Sequence, residues 1–235
     1  MTDLIRDLRL NRYPGRGILL GCHEDGVHAV IAYFIMGRSE NSRNRVFIAE
    51  GDGLRTAAFD PSKMTDPALV IYHPVRVFGK VTIVSNGDHT DTIYEYVKNE
   101  STFEAALRTR TFEPDAPHFT PRISGILECR GNDFDYRLSI LKRGNGNDAR
   151  RYFFEYPSPI AGCGHLIHTY QKTADPLPPF AGEPKEIVIS GSIDSFADLL
   201  WRSLSEINKV SLFVRFLNPR TGRIQTRIIN KNSLN

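Results

Sequence analysis

The chain is poor in cross-linking and metal-binding patterns. Its three cysteines, Cys22, Cys129 and Cys163, are odd in number and show no CxxC spacing. That excludes a disulfide framework and a thiolate zinc site, and leaves structural thiols. Seven histidines form neither HxxxH nor HExxH, and His165 and His168 sit at a spacing that points to opposite faces of a strand, so no metal is expected. No apolar stretch nears the roughly 18 residues that cross a bilayer, and residues 1–13 carry charge throughout instead of a signal peptide's apolar centre. A cytoplasmic protein with no membrane partner is expected. Like charges never run to five, and 30 basic side chains stand against 27 acidic ones. A duplex binder would carry a basic stripe, so nucleic acid is not the expected partner. GxSxG, Walker A and GxGxxG are all absent, which removes the best support for hydrolase-elbow, P-loop and dinucleotide chemistry.

What is present argues for a folded domain. Of 235 residues, 40% are hydrophobic, with 14 Phe and 9 Tyr, enough apolar surface to offset the entropy of ordering. Without a repeat or a long linker, residues 1–235 read as a single domain. Residues 17–21 and 27–36 read as paired strands joined by a turn at residues 23–26. Further strands are expected at 46–49, 69–72, 75–78 and 81–85, with spacing that favours antiparallel sheet over βαβ units. The period then changes. Ile93, Tyr94 and Val97 share a helical face within 91–98, and Ser101-Thr102-Phe103-Glu104 is a capping box opening a second helix. Strands resume at 123–129, 135–141, 151–156, 165–170 and 186–190. A helix over 195–208 and a hairpin of 211–217 with 223–229 close the chain.

Arginine recurs beside glycine and serine, and guanidinium is the planar fork that holds phosphate or carboxylate at two points. Four clusters carry more polar chemistry than a turn needs. Tyr13-Pro14-Gly15-Arg16 stands before the first strand, either as a plain turn with a solvated arginine or as part of a site. Residues 37–45 place Arg38, Arg43 and Arg45 with Ser39 and Ser42 at a strand end, where crowded cations repel unless an anion binds, which suggests a phosphate or carboxamide. Residues 85–92 sit at a strand-to-helix junction. Thr90 or Asp91 is an ordinary N-cap there, but His89 is left over, and a helix N-terminus also favours anionic or carbonyl oxygen. Thr120-Pro121-Arg122 puts a guanidinium at the start of a strand.

The run Val84-Ser85-Asn86-Gly87-Asp88-His89-Thr90-Asp91-Thr92-Ile93 resembles the archaeal-type IMP cyclohydrolases. So do Tyr13-Pro14-Gly15-Arg16, Arg38-Ser39 followed by Asn44-Arg45, and Thr120-Pro121-Arg122-Ile123, all in the family's order; residues 168–173 extend the likeness. The SNGxHTDTI run is the specific one. The resemblance implies an α+β fold: a four-layer αββα sandwich of antiparallel sheets like that of the N-terminal-nucleophile hydrolases, without N-terminal processing. It implies a hydrolase of purine biosynthesis that closes 5-formamidoimidazole-4-carboxamide ribotide to IMP with loss of water, with no cofactor and no metal, and with a homo-oligomer possible. About a dozen residues before Tyr13 and the basic hairpin at 210–230 fall outside it.

Ring closure demands a phosphate clamp, an oxyanion donor and a proton shuttle. On the resemblance, Arg16, Arg38 and Ser39 anchor substrate, with Arg122 as a further binding arginine. Arg43 or Arg45 stands near the reacting carbonyl, since both fit the family arginine. Tyr72 donates to the oxyanion or relays the proton, or is merely a half-buried strand tyrosine. Asn86 and His89 orient the carboxamide, and Thr90 and Asp91 meet ribose or phosphate. The alternatives are a non-catalytic purine-nucleotide-binding protein, an amidohydrolase using Cys22, and, third, RNA binding by the terminal hairpin.

Overall fold

The run at residues 29–36 is apolar at every position because its strand is covered on both faces. In β2 (Ala29–Met36), Ile31, Tyr33 and Ile35 share one core cluster while Val30, Phe34 and Met36 share another. A half-exposed strand would alternate with polar residues. The computed structural model describes residues 8–65, 67 and 70–232. Within them β2 pairs antiparallel with β1 (Arg16–Cys22) and with β12 (Lys209–Leu217). Adding β10 (Cys163–His168), β11 (Lys185–Val188) and β13 (Ile224–Asn230) gives a six-stranded sheet in the order β11-β10-β1-β2-β12-β13.

The second sheet is seven-stranded and antiparallel, running β3-β4-β5-β6-β7-β8-β9. Its members are β3 (Arg45–Glu50), β4 (Gly53–Ala58), β5 (Val75–Phe78), β6 (Val81–Ser85), β7 (Arg122–Arg130), β8 (Asp133–Arg143) and β9 (Ala149–Tyr156). Ile18, Leu20 and Phe213 of the first sheet share a buried cluster with Val84, Ile123 and Leu138 of the second, so the two sheets face each other. The opposite face of the first sheet packs Leu19, Phe34 and Leu212 with Phe196 and Leu200 of helix α4 (Ile193–Ser203). That of the second packs Ile83 and Ile126 with Ile93 of α2 (His89–Lys98) and Phe103 and Leu107 of α3 (Phe103–Arg108). The architecture is α+β, built on two antiparallel sheets. No helix among the described residues is long and apolar enough to cross a membrane.

Three local expectations are corrected. A strand over 69–72 does not form: Leu69 lies outside the described residues, while the amides of Val70 and Ile71 both turn back to the carbonyl of Pro67. The side-chain oxygen of Thr56 accepts from the Tyr72 amide at 2.9 Å, and this pins a bend where the sequence suggests a ladder. Residues 37–45 are not simply a strand end. They contain a one-turn helix, α1 (Glu40–Arg43), closed by a reciprocal Ser39–Ser42 capping box in which serine replaces the usual Glu or Gln. The terminal hairpin is no appendage: β12 lies inside the first sheet with Leu212, Phe213 and Val214 fully buried, which leaves it little freedom as an RNA arm.

Candidate active site

The Tyr13-Pro14-Gly15-Arg16 turn is bound to the segment after β10. Gly15 takes φ +80°, and a Cβ there would stand 2.2 Å from the Thr169 hydroxyl, so the close approach requires glycine. The Thr169 hydroxyl donates to the Pro14 carbonyl at 3.0 Å, the Arg16 amide donates to that hydroxyl at 3.2 Å, and Tyr13 stacks on Tyr170 at 5.8 Å. Arg16 is thereby set at the start of β1, between aromatic rings. Burial opposes its charge, and the hydroxyls of Tyr13, Tyr170, Tyr72 and Tyr33 around it more than compensate, so its pKa stands above the ordinary arginine value.

Arg45 enters the same space from the other sheet. It is fully buried, its Nε donates to the Ser42 carbonyl at 2.9 Å, and both terminal nitrogens lack a partner. Burial, then the like charge of Arg16, hold its pKa below the usual value. Among the described residues neither Arg16 nor Arg45 is paired with a carboxylate. Two guanidiniums close enough to feel each other's charge, Arg45 fully buried and Arg16 half-buried, neither in a salt bridge, suit the binding of negative charge. Beside them the Tyr33 and Tyr72 hydroxyls share a 2.7 Å hydrogen bond, and burial, then Tyr72, push the Tyr33 hydroxyl well above its ordinary pKa. Arg43 turns away: it donates to the Arg38 carbonyl at 2.7 Å and lines a separate surface hollow with Asn44 and Phe59.

A cleft of about 300 Å³ opens beside Arg16 and is lined by Tyr13, Arg16, Arg38, Asp115, Thr120 and Tyr170, with Ser39 at its edge; Arg45 lies behind Arg16, out of the lining. Arg38 stands at its exposed side, 5.2 Å over the Tyr13 ring and 3.4 Å from His118 Nε2. An acid that the sequence reading overlooked, Glu113, stands next to the lining: its amide donates to the carbonyl of the lining residue Thr120 at 2.9 Å. Glu113 is 7% exposed, lies 2.9 Å from the Arg122 guanidinium, and leaves Oε2 without a partner. Burial pushes its carboxyl up, against the pull of Arg122 and Arg16. Tyr33 was also overlooked, hidden in an apolar strand. The signal for Glu113 was an acid within a Pro-rich, Phe-rich loop that ends at Thr120-Pro121-Arg122.

The SNGDHTDT run occupies the strand-to-helix junction as expected; Ser85, Asn86, His89 and Thr90 are buried while Asp88 and Asp91 are not, and none of the run lines the cleft. The Asn86 amide donates to the Pro121 carbonyl at 2.9 Å and accepts from the Ile123 amide at 2.8 Å. His89 is fully buried, with Nε2 on the Ile123 carbonyl at 3.2 Å and Nδ1 facing Arg122 at 3.1 Å. The carbonyl requires Nε2 to donate and Arg122 requires Nδ1 to accept, so the ring is neutral. Its pKa lies well below the normal value through burial and then Arg122. Thr90 is fully buried and spends its hydroxyl on Ser85 at 2.5 Å and the Gly87 carbonyl at 2.9 Å. Asp91 points elsewhere and pairs with Arg76 at 2.9 Å. Arg122 is held at 2.6 Å by Asp88 and is nearly buried. These residues therefore shape the ends of β6 and β7 and aim Arg122 at Glu113. Asn86→Ala leaves a buried N–H and C=O unpaired and is expected to cost about 2–5 kcal/mol in urea unfolding. Unchanged stability with lost turnover would instead place Asn86 on the substrate.

Cys22 ends β1, at the opposite end from Arg16. It is buried, and burial, then Asp25, raise its thiol pKa, the reverse of what a nucleophile needs.

A model of the IMP cyclohydrolase-like protein family matches residues 13–222. The IMP cyclohydrolase of Methanopyrus kandleri is 34% identical over 170 residues, covering 69% of this chain and 77% of that protein. That of Methanothrix thermoacetophila is 31% identical over 165 residues, covering 68% and 75%. The IMP cyclohydrolase of Methanosphaera stadtmanae is 24% identical over 211 residues, covering 88% of this chain and the whole of the relative.

Proposed function

Since the chain belongs to the IMP cyclohydrolase-like family and is an IMP cyclohydrolase, we propose that it closes the ring in the cleft beside Arg16 and Arg45. The substrate is the purine ribotide that carries a formamido group next to a carboxamide. The observation that carries the assignment is the fully buried Arg45, both of its terminal nitrogens unpartnered, coupled to Arg16 and beside the Tyr33–Tyr72 hydroxyl pair.

The carboxamide nitrogen attacks the formyl carbon, forming the N–C bond as the carbonyl electrons move to oxygen. Arg45 and Tyr72 hold that oxyanion, and water is scarce enough in the buried site to make each contact strong. Glu113 takes the proton that the attacking nitrogen sheds. Tyr72, backed by Tyr33, protonates the oxyanion to a hydroxyl; Glu113 then returns its proton to that hydroxyl, which leaves as water as the former formamido nitrogen gives its hydrogen to the Tyr72 oxygen, so both residues end as they began. Atoms balance without an oxidant or reductant, so proton and charge handling suffice. Arg16 anchors the carboxamide side, and Arg38 with Ser39 receives the phosphate at the open end of the cleft. Arg122 tunes Glu113, while Asn86, His89 and Thr90 brace its strand. Facing sheets with helices on both outer faces support an αββα sandwich like that of the N-terminal-nucleophile hydrolases, here with no terminal nucleophile in use.

The direct test supplies the formamido ribotide and follows IMP by ultraviolet absorbance against the slow uncatalysed closure. Acceleration is expected; IMP binding without it would leave only a nucleotide-binding protein. Tyr72→Phe keeps the ring and removes the hydroxyl, and is expected to lower kcat about 100-fold with KM little changed. Full turnover in that variant removes Tyr72 from the chemistry.

A further inference from the structure

The turn between β1 and β2 gathers three ligating side chains that the reaction does not use. The metal-binding atoms of His23, Asp25 and His28 all lie within 4.8 Å of one another. Asp25 Oδ2 stands 3.1 Å from His23 Nδ1 and 2.6 Å from His28 Nδ1. The carboxylate is held in place by its other oxygen, which accepts from the amides of Val27 at 2.8 Å and His28 at 3.0 Å.

His23 is fixed from behind. Its Nε2 lies 2.9 Å from the Gly191 carbonyl, which can only accept, so Nε2 carries the hydrogen. In the neutral ring this leaves a lone pair on Nδ1, and the Asp25 amide at 3.3 Å is consistent with Nδ1 as acceptor. That lone pair nevertheless faces a carboxylate oxygen. Two acceptors this close repel unless a proton or a metal cation stands between them. An imidazole whose far nitrogen donates to a carbonyl is also how metal-ligating histidines are oriented.

We infer that His23 Nδ1, His28 Nδ1 and Asp25 Oδ2 bind a divalent transition-metal cation of the zinc class. Two imidazoles and one carboxylate suit zinc, cobalt or nickel, whereas calcium and magnesium prefer all-oxygen sets. Ligands at about 2.1 Å with a tetrahedral angle stand about 3.4 Å apart, so Asp25 Oδ2 draws back from each imidazole by less than about 1 Å to admit the ion. Remaining coordination positions face solvent, because His23 and His28 are half-buried and Asp25 is exposed. The site is structural. β1 spans seven residues, which puts the ion roughly 20 Å from Arg16. Bound there, it locks the β1–β2 turn to the segment after β11, which His23 and Glu24 already grip through the Gly191 carbonyl and amide.

The full chain, prepared without a histidine tag and stripped with chelator, is titrated with Zn²⁺ by calorimetry and with Co²⁺ by visible absorbance. One equivalent is expected to bind per chain, with ligand-field bands from cobalt and a higher melting temperature in zinc. His28→Ala and Asp25→Asn are each expected to weaken binding at least about tenfold and to abolish the melting shift, with ring closure unchanged. Asp25→Asn keeps an oxygen for the two turn amides, so it reads coordination apart from folding. Absent binding in the unmodified chain overturns the site, and so does equal affinity in both variants, which would put the metal elsewhere.

Discussion

Arg45→Met is expected to cut kcat/KM by about 10²–10³ while leaving the protein as stable as the unmodified chain, or more so. Most buried-residue substitutions lose both. Here the guanidinium is fully buried, has two unpartnered nitrogens, and lies near the like charge of Arg16. Removing it relieves desolvation and repulsion together, and methionine fills a similar volume. Replacing buried charges with apolar side chains is often neutral, or stabilising by about 1–4 kcal/mol. Among the described residues the hydrogen bond forfeited is that from Nε to the Ser42 carbonyl. Steady-state kinetics and a thermal melt on the same preparation decide it. A loss of several kcal/mol in stability would mean that Arg45 is a structural cation, and the oxyanion role would fall with it.

Glu113→Gln is expected to lower kcat by about 10²–10⁴, the usual contribution of a positioned base. The sign of its pH dependence follows from burial, which raises the carboxyl above its ordinary pKa. A base works only when ionised, so kcat/KM of the native enzyme falls as pH drops through that raised value. The glutamine variant is permanently neutral and loses this acid limb. Stability moves the other way. A carboxyl whose folded pKa exceeds the unfolded one favours the folded state below the unfolded pKa, and that contribution is lost as pH rises through the folded value. The variant removes this dependence while Asp88 keeps Arg122 paired at 2.6 Å. If the acid limb survives in Glu113→Gln, the proton goes to another group.

Elements carried by local pattern were legible. The doubly apolar run of β2, the Asn-Gly turn before α2 and the hairpin of β12 with β13 all lie within a residue or two of where periodicity put them. The stop of α4 at Ser203 was not, because Ile207 continues the apolar stripe although the backbone is already extended at Leu204. In the site, Arg16, Arg38 and Ser39 line the cleft as expected, and geometry separates Arg45 from Arg43. Asn86 and His89 look like ligands in sequence because their polarity exceeds what a turn needs. Their partners, the backbone around Ile123, are brought near only by the pairing of β6 with β7. Glu113 had the converse fate: alone it is an acid in a loop, and only the fold buries it beside Arg122 and within the charge of Arg16.

The side-chain amide of Asn230, at the end of β13, donates to the Phe47 carbonyl at 3.0 Å and accepts from the Phe47 amide at 2.8 Å. One residue thus imitates a rung of β-ladder between edges that belong to different sheets. Arg16 and Tyr33 ride on one of those sheets and Arg45 on the other, so the spacing of the reacting groups is a shear coordinate. Sliding the sheets by one ångström would change every cross-sheet distance in the site without breaking a single strand pairing. The Asn230 rung resists that slide, and it ties the edge strand that carries Arg45 to the sheet that carries Arg16, which keeps the two guanidiniums in register.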